Sequence, residues 1–429
     1  MTAGEVLAPS PAAGTAARGE SRRLVAQVSG KYVGLYKNLH SLPEPSGKEF
    51  RTARTVAARL RNLGLRVHER VGGSGVVGIL QNGPGPTVVL GAELDALPCK
   101  EATNLPYAST QSGSAVGDGG VMHACGHDAH MAALLGATEV LGRLRTTWSG
   151  TLVVLFQPEE ETGRGALSMI HAGVLDLFPA PTVFLAQHVS PMPAGSITLK
   201  PGPTTSAGNG LRVTLHGIGG HAAFPEHGLN PLSTAARLVL SPEKLSQRHV
   251  GTSIVNIGAA HAGTVDNRIP DSAELHLSIR SRSAAAQQVV LGEVRAAVSL
   301  ATQGQRSLPA EVVETAVFPM LENSPGSTSR LYEAFYRAGL PVFQLEEASW
   351  ASDDFGAFGT AAQCPSVYWF WGASDPALFS SHDLELLRTG SLPANVPVNH
   401  STRFAPEPVL TVSSGITNLV TAALDWTSG

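Results

Sequence analysis

The stretch Thr151-Leu152-Val153-Val154-Leu155-Phe156-Gln157-Pro158-Glu159-Glu160-Glu161 decides how this chain is read. Thr151 to Phe156 is a continuous apolar run bounded by Gly150 and Pro158. It lacks polar alternation, which predicts a strand buried on both faces. Three glutamates then follow its carboxyl end, where open α/β sheets bind their ligands. Adjacent carboxylates repel, so they need solvent or a cation nearby. One of them can bind a metal while its neighbour serves as general base toward water. Taken alone, the run is better read as a solvated helix start, because glutamates favour that end of the dipole; only beside a cluster of metal-ligand types does the functional reading prevail.

Working outward, apolar runs at 75–80 and 87–90 flank the turn Pro84-Gly85-Pro86 and read as strands. Another buried strand is predicted at 182–186. Helical patterns at 23–40, 48–63, 127–144 and 165–172 alternate with these strands. The alternation predicts a mixed, largely parallel sheet flanked by helices, an α/β architecture. A Pro/Gly/Thr/Ser-rich link at 201–210 marks a change of character. Beyond it, strands at 211–216, 253–259, 273–279 and 311–317 and helices at 230–240 and 284–301 suit a ferredoxin-like α+β block. A return link at 319–328, a strand at 364–371 and a helix at 408–426 read as more of the first domain. The expected organisation is a tail at 1–20, disordered in solution, a catalytic domain at 21–206 and 319–429, and an inserted domain at 207–318.

Composition narrows the function. The chain has 429 residues, a formal net charge of −4 and only 15% charged residues. Nothing in that balance resembles a nucleic-acid footprint, and no apolar run is long enough to span a membrane. Three cysteines argue against a disulfide framework and for a reducing compartment. The first twenty residues lack the basic start and apolar centre of a secretory signal, so a cytoplasmic protein is expected.

Three histidines, a cysteine and an aspartate crowd into His123-Ala124-Cys125-Gly126-His127-Asp128-Ala129-His130, at the mouth of a predicted helix. Thiolate and imidazole are good ligands for borderline transition metals. Cys125 and His127 are two residues apart, so an extended segment points both one way. Gln187-His188 falls at the end of the strand predicted at 182–186 and Asn399-His400-Ser401 in a Pro-flanked loop, although each alone would more often be an ordinary loop histidine. Asp95, after the strand at 87–90, is placed to hydrogen-bond a ligand histidine.

These motifs resemble the M20 metallopeptidase and amidohydrolase family. The nearest branch is that of hippurate, N-acyl-amino-acid and indole-acetyl-amino-acid hydrolases. The resemblance runs from about Leu39 to Phe404. It is carried by Leu39-His40 with Pro43-Glu44, Asp95-Ala96-Leu97-Pro98, Met122 to Asp128, Phe156-Gln157-Pro158 with Glu160-Glu161, Gly220-His221-Ala222-Ala223, Asn267 with Ile269-Pro270, and Asp354-Phe355. It implies Cys125, His127, Glu161, His188 and His400 as ligands of two divalent ions, zinc, manganese or cobalt. It implies Glu160 as general base, with Asp95 beside it. The inserted block corresponds to a lid domain, through which a homodimer would form. There His221 would polarise the scissile carbonyl and Asn267 would lie near the substrate.

The sequence departs from the family pattern at Glu93, Glu159, Arg268 and Asp353, and in a longer segment between Ser374 and His400. Arg268, Arg280 and Arg282 offer guanidinium groups for a substrate carboxylate. Trp369 and Trp371 share a strand face and suit either an acyl pocket or the core, with core the commoner role. The expected activity is metal-dependent hydrolysis of an N-acyl amino acid or similar small amide. A dipeptidase or N-deacetylase is the alternative. A non-catalytic binder would be expected to have lost a ligand or the base, and none is missing.

Overall fold

A computed structural model describes residues 11–112, 119–303, 308–388 and 392–428. The chain divides into two compact units. The first runs to Gly202 and returns for Asn323–Glu346 and again from Ala357, while the second comprises Pro203–Glu322 and Glu347–Gly356.

The first unit is built on an eight-stranded sheet. Its strand order is Arg66–Val71, Gly75–Asn82, Gly150–Gln157, Thr87–Glu93, Val183–Pro193, Ser366–Ser374, Ile197–Leu199, Val342–Gln344. The four central strands are parallel. Three of them, Thr87–Glu93, Gly150–Gln157 and Ser366–Ser374, are buried at every position, as continuous apolar runs require. The outer pairs of Gly75–Asn82 with its two neighbours are antiparallel. Helix His127–Arg143 is alanine-rich and packs against both Pro11–Ser41 and Pro408–Thr427. A helix apolar on nearly all sides belongs inside a core. Because the central strands are parallel, Glu93, Gln157 and His188 lie at one level, toward the carboxyl side of the sheet.

The second unit holds a four-stranded antiparallel sheet in the order Ser253–Ala262, Ser272–Ser281, Ala207–His216, Ala310–Phe318. In chain order that is 2-3-1-4, the ferredoxin-like arrangement. Ser272–Ser281 alternates between buried and more exposed positions, as one covered face demands. Helix Ala284–Ala301 contributes Val290, Leu291, Val294 and Val298 to that core.

Several expectations change. Part of the expected tail is helical, since Pro11–Ser41 is one helix. The alanines of 12–17 favour helix. The rest of the tail, residues 1–10, lies outside the described residues. The link at 201–210 gives way to a strand from Ala207. Its glycines are there because neighbours press close: a Cβ on Gly208 would stand 2.8 Å from Ser352 Oγ. The helix expected at 230–240 is followed by another, Ser241–Arg248. Helix Pro325–Arg337 begins within the return link and takes its last four residues. Glu347–Gly356, expected with the first domain, groups with the second unit. It is held there by Trp350 under the Arg282 guanidinium (4.1 Å) and by Ser206 Oγ donating to Trp350 O (2.9 Å). Among the described residues, no helix is long and apolar enough to cross a membrane. Cys99, Cys125 and Cys364 are free thiols.

Candidate metal centre

The carboxyl edge of the central sheet gathers donor atoms from four segments. In each of the sets Cys125/His127/His188, Cys125/Glu161/His400 and His127/Glu160/Glu161, the donor atoms lie within 4.8 Å of one another. All five expected ligands therefore meet, with Glu160 beside them. Cys125 Sγ is 3.3 Å from His188 Nε2, and His400 Nε2 is 3.4 Å from Glu161 Oε2. His127 Nε2 is 3.7 Å from Glu160 Oε2 and 4.0 Å from Glu161 Oε1.

Local backbone makes this convergence. Cys125 and His127 do not share an extended segment. Gly126 lies between them at φ 90° as the cap of helix His127–Arg143, and this turn swings both side chains inward. A side chain at Gly126 would overlap Val189, with its Cβ 2.4 Å from Val189 Cγ2. Nor is His188 at a strand end, because its strand continues to Pro193 beside Ser366–Ser374. His400 has φ 67°, and its N–H donates to Ala124 O (2.8 Å). Asn399 Nδ2 ties the same loop to Cys125 O (3.0 Å).

Hydrogen bonds fix which nitrogen each histidine offers. His127 Nδ1 donates to Asp95 O (2.9 Å) and His188 Nδ1 to Val189 O (2.7 Å), so both rings turn Nε2 to the cluster. Asp95 Oδ2 accepts from Glu161 N–H (3.0 Å) and Ser46 Oγ (2.7 Å), while Oδ1 faces His127 Nδ1 at 3.3 Å. Asp95 thus positions two of the expected ligands.

The electrostatics ask for a cation. His127 Nε2 and Glu161 Oε1 are buried without a hydrogen-bond partner. Burial lowers His127, but the Asp95 hydrogen bond and the Glu93, Asp95 and Glu161 charges outweigh it and raise it to about 10. Burial, then the Glu161 and Glu160 carboxylates, push the Cys125 thiol well above its usual value. Burial and the neighbouring His127 lower His188 to about 3. The carboxylates therefore gather positive charge at one point, and a divalent cation there would let Cys125 ionise. Separations of 3.3–4.0 Å suit donors that share a cation at about 2.0–2.3 Å. The residues fit a metal.

His130 is not one more ligand. Its Nδ1 bonds Glu93 Oε2 and its Nε2 accepts Val189 N–H (3.0 Å), so both nitrogens are taken. Glu93 is thus the partner of a buried histidine. The extra carboxylate of Glu159 lies over Gly47 and Gly73, where Cβ atoms would stand 3.4 and 3.9 Å from its Oε1. The sequence revealed neither this role of His130 nor the partners of His40, which the Leu39-His40 motif named without a role: its Nδ1 is 2.6 Å from Asp128 Oδ2 and its Nε2 3.0 Å from Glu101 Oε1.

The second unit carries the other expected residues. His221 is exposed on Gly220–His221, paired with Arg268–Ile269. Its Nδ1 accepts Ala223 N–H (3.0 Å), which leaves the proton on Nε2. Asn267 is exposed, and its carbonyl accepts Ala222 N–H. Arg268 pairs with Asp271 (2.6 Å). Arg280 bonds Ser278 Oγ (3.0 Å) and lies over the Phe318 ring. Arg282 pairs with Glu347 and stacks on Trp350.

A two-unit α/β protein with a Cys/His/Glu cluster at the carboxyl edge of its sheet, running from the buried Cys125 and His127 to the exposed His400, has the form of a metallohydrolase. Comparison with known proteins specifies which kind. Residues 89–393 match the model of peptidase family M20/M25/M40, and the chain belongs to that family, a family of hydrolases. An N-acetyl-L-cysteine deacetylase of Bacillus subtilis is 32% identical over 345 residues, covering 79% of this chain and 80% of the relative. A hippurate hydrolase of Campylobacter jejuni is 35% identical over 264 residues, 60% of this chain and 66% of the relative. A Bacillus subtilis structure, a dinuclear metal-binding peptidase of the M20 family, superposes with a TM-score of 0.67 at 25% identity. It covers 94% of this chain and 99% of its own.

Proposed function

We propose that the protein is a metal-dependent amidohydrolase that cleaves the amide of N-acyl amino acids or similar conjugates with water. One observation carries the reading. Five donor residues, Cys125, His127, Glu161, His188 and His400, meet beside the buried carboxylate of Glu160. The names of the relatives, a deacetylase of an N-acetylated amino acid and a hippurate hydrolase, support this substrate class.

Those five side chains would hold two divalent ions, of the zinc, manganese or cobalt type. Such ions supply Lewis acidity toward water and the amide carbonyl. The chain's own groups do the rest. Asp95 O and Val189 O keep the His127 and His188 rings turned so that Nε2 serves as the ligand. Glu160 takes a proton from water as the new C–O bond forms, and returns it to nitrogen as the C–N bond breaks. His221, protonated at Nε2, is the proposed donor to the carbonyl oxygen. Replacing Glu160 with Gln is expected to leave metal content and folding unchanged while kcat falls about 10²–10⁴-fold, the usual worth of a general base. Full turnover in that variant, on a panel of N-acetyl and N-benzoyl amino acids, would remove Glu160 from the base role.

A further inference from the structure

The short turn that carries Glu160 and Glu161 is held in a conformation it would not keep alone. Glu159 opens it at φ 50°, the left-handed region that a residue with a side chain seldom occupies. Such backbone persists only where surrounding groups over-determine it. The group that does so here is a carboxylate 110 residues away in sequence.

We propose that Glu49 is a positioning residue for the hydrolytic site, pinning the Glu159–Glu161 turn from behind. Its side chain is fully buried. Oε1 accepts the Glu159 N–H (3.0 Å) and the Gly47 N–H (2.7 Å), while Oε2 accepts the Ser74 hydroxyl (2.7 Å). Two residues further on, Glu161 N–H is held by Asp95 Oδ2, which also takes the Ser46 hydroxyl. The segment Ser46–Glu49 therefore grips the turn at both ends, and Glu160 stands between two anchored amides. Glu49 itself is absent from every ligand set. Its effect passes through the backbone of Glu159.

The hydrogen-bond inventory makes this specific. Three donors converge on two oxygens. A glutamine can accept both backbone N–H groups at its Oε1 and donate to Ser74 Oγ, whose hydroxyl turns away. An alanine offers nothing. An aspartate is one methylene too short to hold Glu159 and Ser74 together.

The consequence for turnover rests on Glu160 being the base, but the primary readout does not. Amide exchange over residues 157–164 is measured in the wild type, Glu49→Ala, Glu49→Asp and Glu49→Gln. Leu60→Ala serves as a control, a core variant on another part of the helix Phe50–Asn62. Exchange at 157–164 should rise tenfold or more in the Ala and Asp variants. It should stay near wild type in the Gln variant and in the core control. In parallel, kcat and metal affinity should fall 10–100-fold in the Ala and Asp variants, with KM within about twofold, and should recover in the Gln variant. Unchanged exchange in Glu49→Ala, an equal rise in Leu60→Ala, or Asp and Gln variants that behave alike would overturn the proposal. If Glu49→Ala does not fold, the Asp and Gln pair decides. If the wild type hydrolyses no amide, Glu160 loses its role while the exchange result still decides on Glu49.

Discussion

Removing the imidazole of His40 tests the electrostatic logic of the first unit. His40 is buried between two carboxylates, Asp128 at 2.6 Å and Glu101 at 3.0 Å, each with no exposed side-chain surface. Both ring nitrogens face acceptors, so the ring is a cation. Tyr36 and Tyr107 flank it at 5.7 and 5.5 Å between ring centroids. Burial lowers His40, but Asp128 and Glu101 outweigh it and raise it to about 10. Truncation to Ala strands two buried carboxylates, and breaking a buried pair from one side costs about 3–5 kcal/mol. The sign of the pH dependence follows. A histidine raised above its usual 6.5 contributes fully below that pH and loses its contribution as pH rises through 10. For Glu101, burial acts upward but the His40 hydrogen bond and charge prevail, so its contribution is present above its usual 4.5 and lost below. The stabilisation is thus greatest between those two ordinary values, and each tenfold change in proton affinity on folding is worth about 1.4 kcal/mol. Urea unfolding followed by tryptophan emission reads this, because Trp148, Trp369, Trp371 and Trp426 all belong to the first unit. Wild type and His40→Ala should differ by about 3–5 kcal/mol at pH 6.5, and the difference should shrink toward pH 10. A difference under about 0.5 kcal/mol, or one that does not change with pH, would show that His40 is not a buried cation paired with these carboxylates.

Two further substitutions separate core from site. Trp371 is fully buried, donates from Nε1 to Thr411 O (3.1 Å) and rests on the His130 ring. Trp371→Ala should cost about 3–5 kcal/mol and leave the ratio of aromatic to aliphatic acyl hydrolysis unchanged; an altered ratio would return Trp371 to the acyl pocket. His221→Ala should lower kcat about 10²–10³-fold, as loss of an oxyanion donor does, without a change in unfolding midpoint. An unaltered kcat would remove His221 from the chemistry.

Local signals carried much of this molecule. The apolar run at Thr151–Phe156 and the alanine-rich pattern after His127 appear as a central strand and a central helix within a residue or two of their expected bounds. The ligand cluster was visible because its residue types are rare together, and its grouping leaned on resemblance to a family. What escaped had no local signal. Gly208 and Gly210 read as linker although they lie in a strand, because the close neighbours that demand glycine come from Ser352 and Thr315, far along the chain. Glu49 drew no reading of its own from the sequence, and His40 entered only within the Leu39-His40 motif. Their partners lie 110 and 88 residues away, at Glu159 and Asp128, so only the fold reveals what they hold. Glu159 looked like a third functional carboxylate. Its left-handed backbone turns that carboxylate over Gly47.

Cys125, His127, Glu161, His188 and His400 are proposed to hold the metal on which hydrolysis by this chain depends. Elemental analysis of the purified protein, paired with hydrolysis of N-acetyl, N-benzoyl and N-indoleacetyl amino acids before and after chelation, tests it most directly. About two divalent ions per chain are expected, with hydrolysis abolished by chelator and restored by zinc, manganese or cobalt. A chain that takes up none of these ions, or that hydrolyses equally well without them, would contradict it.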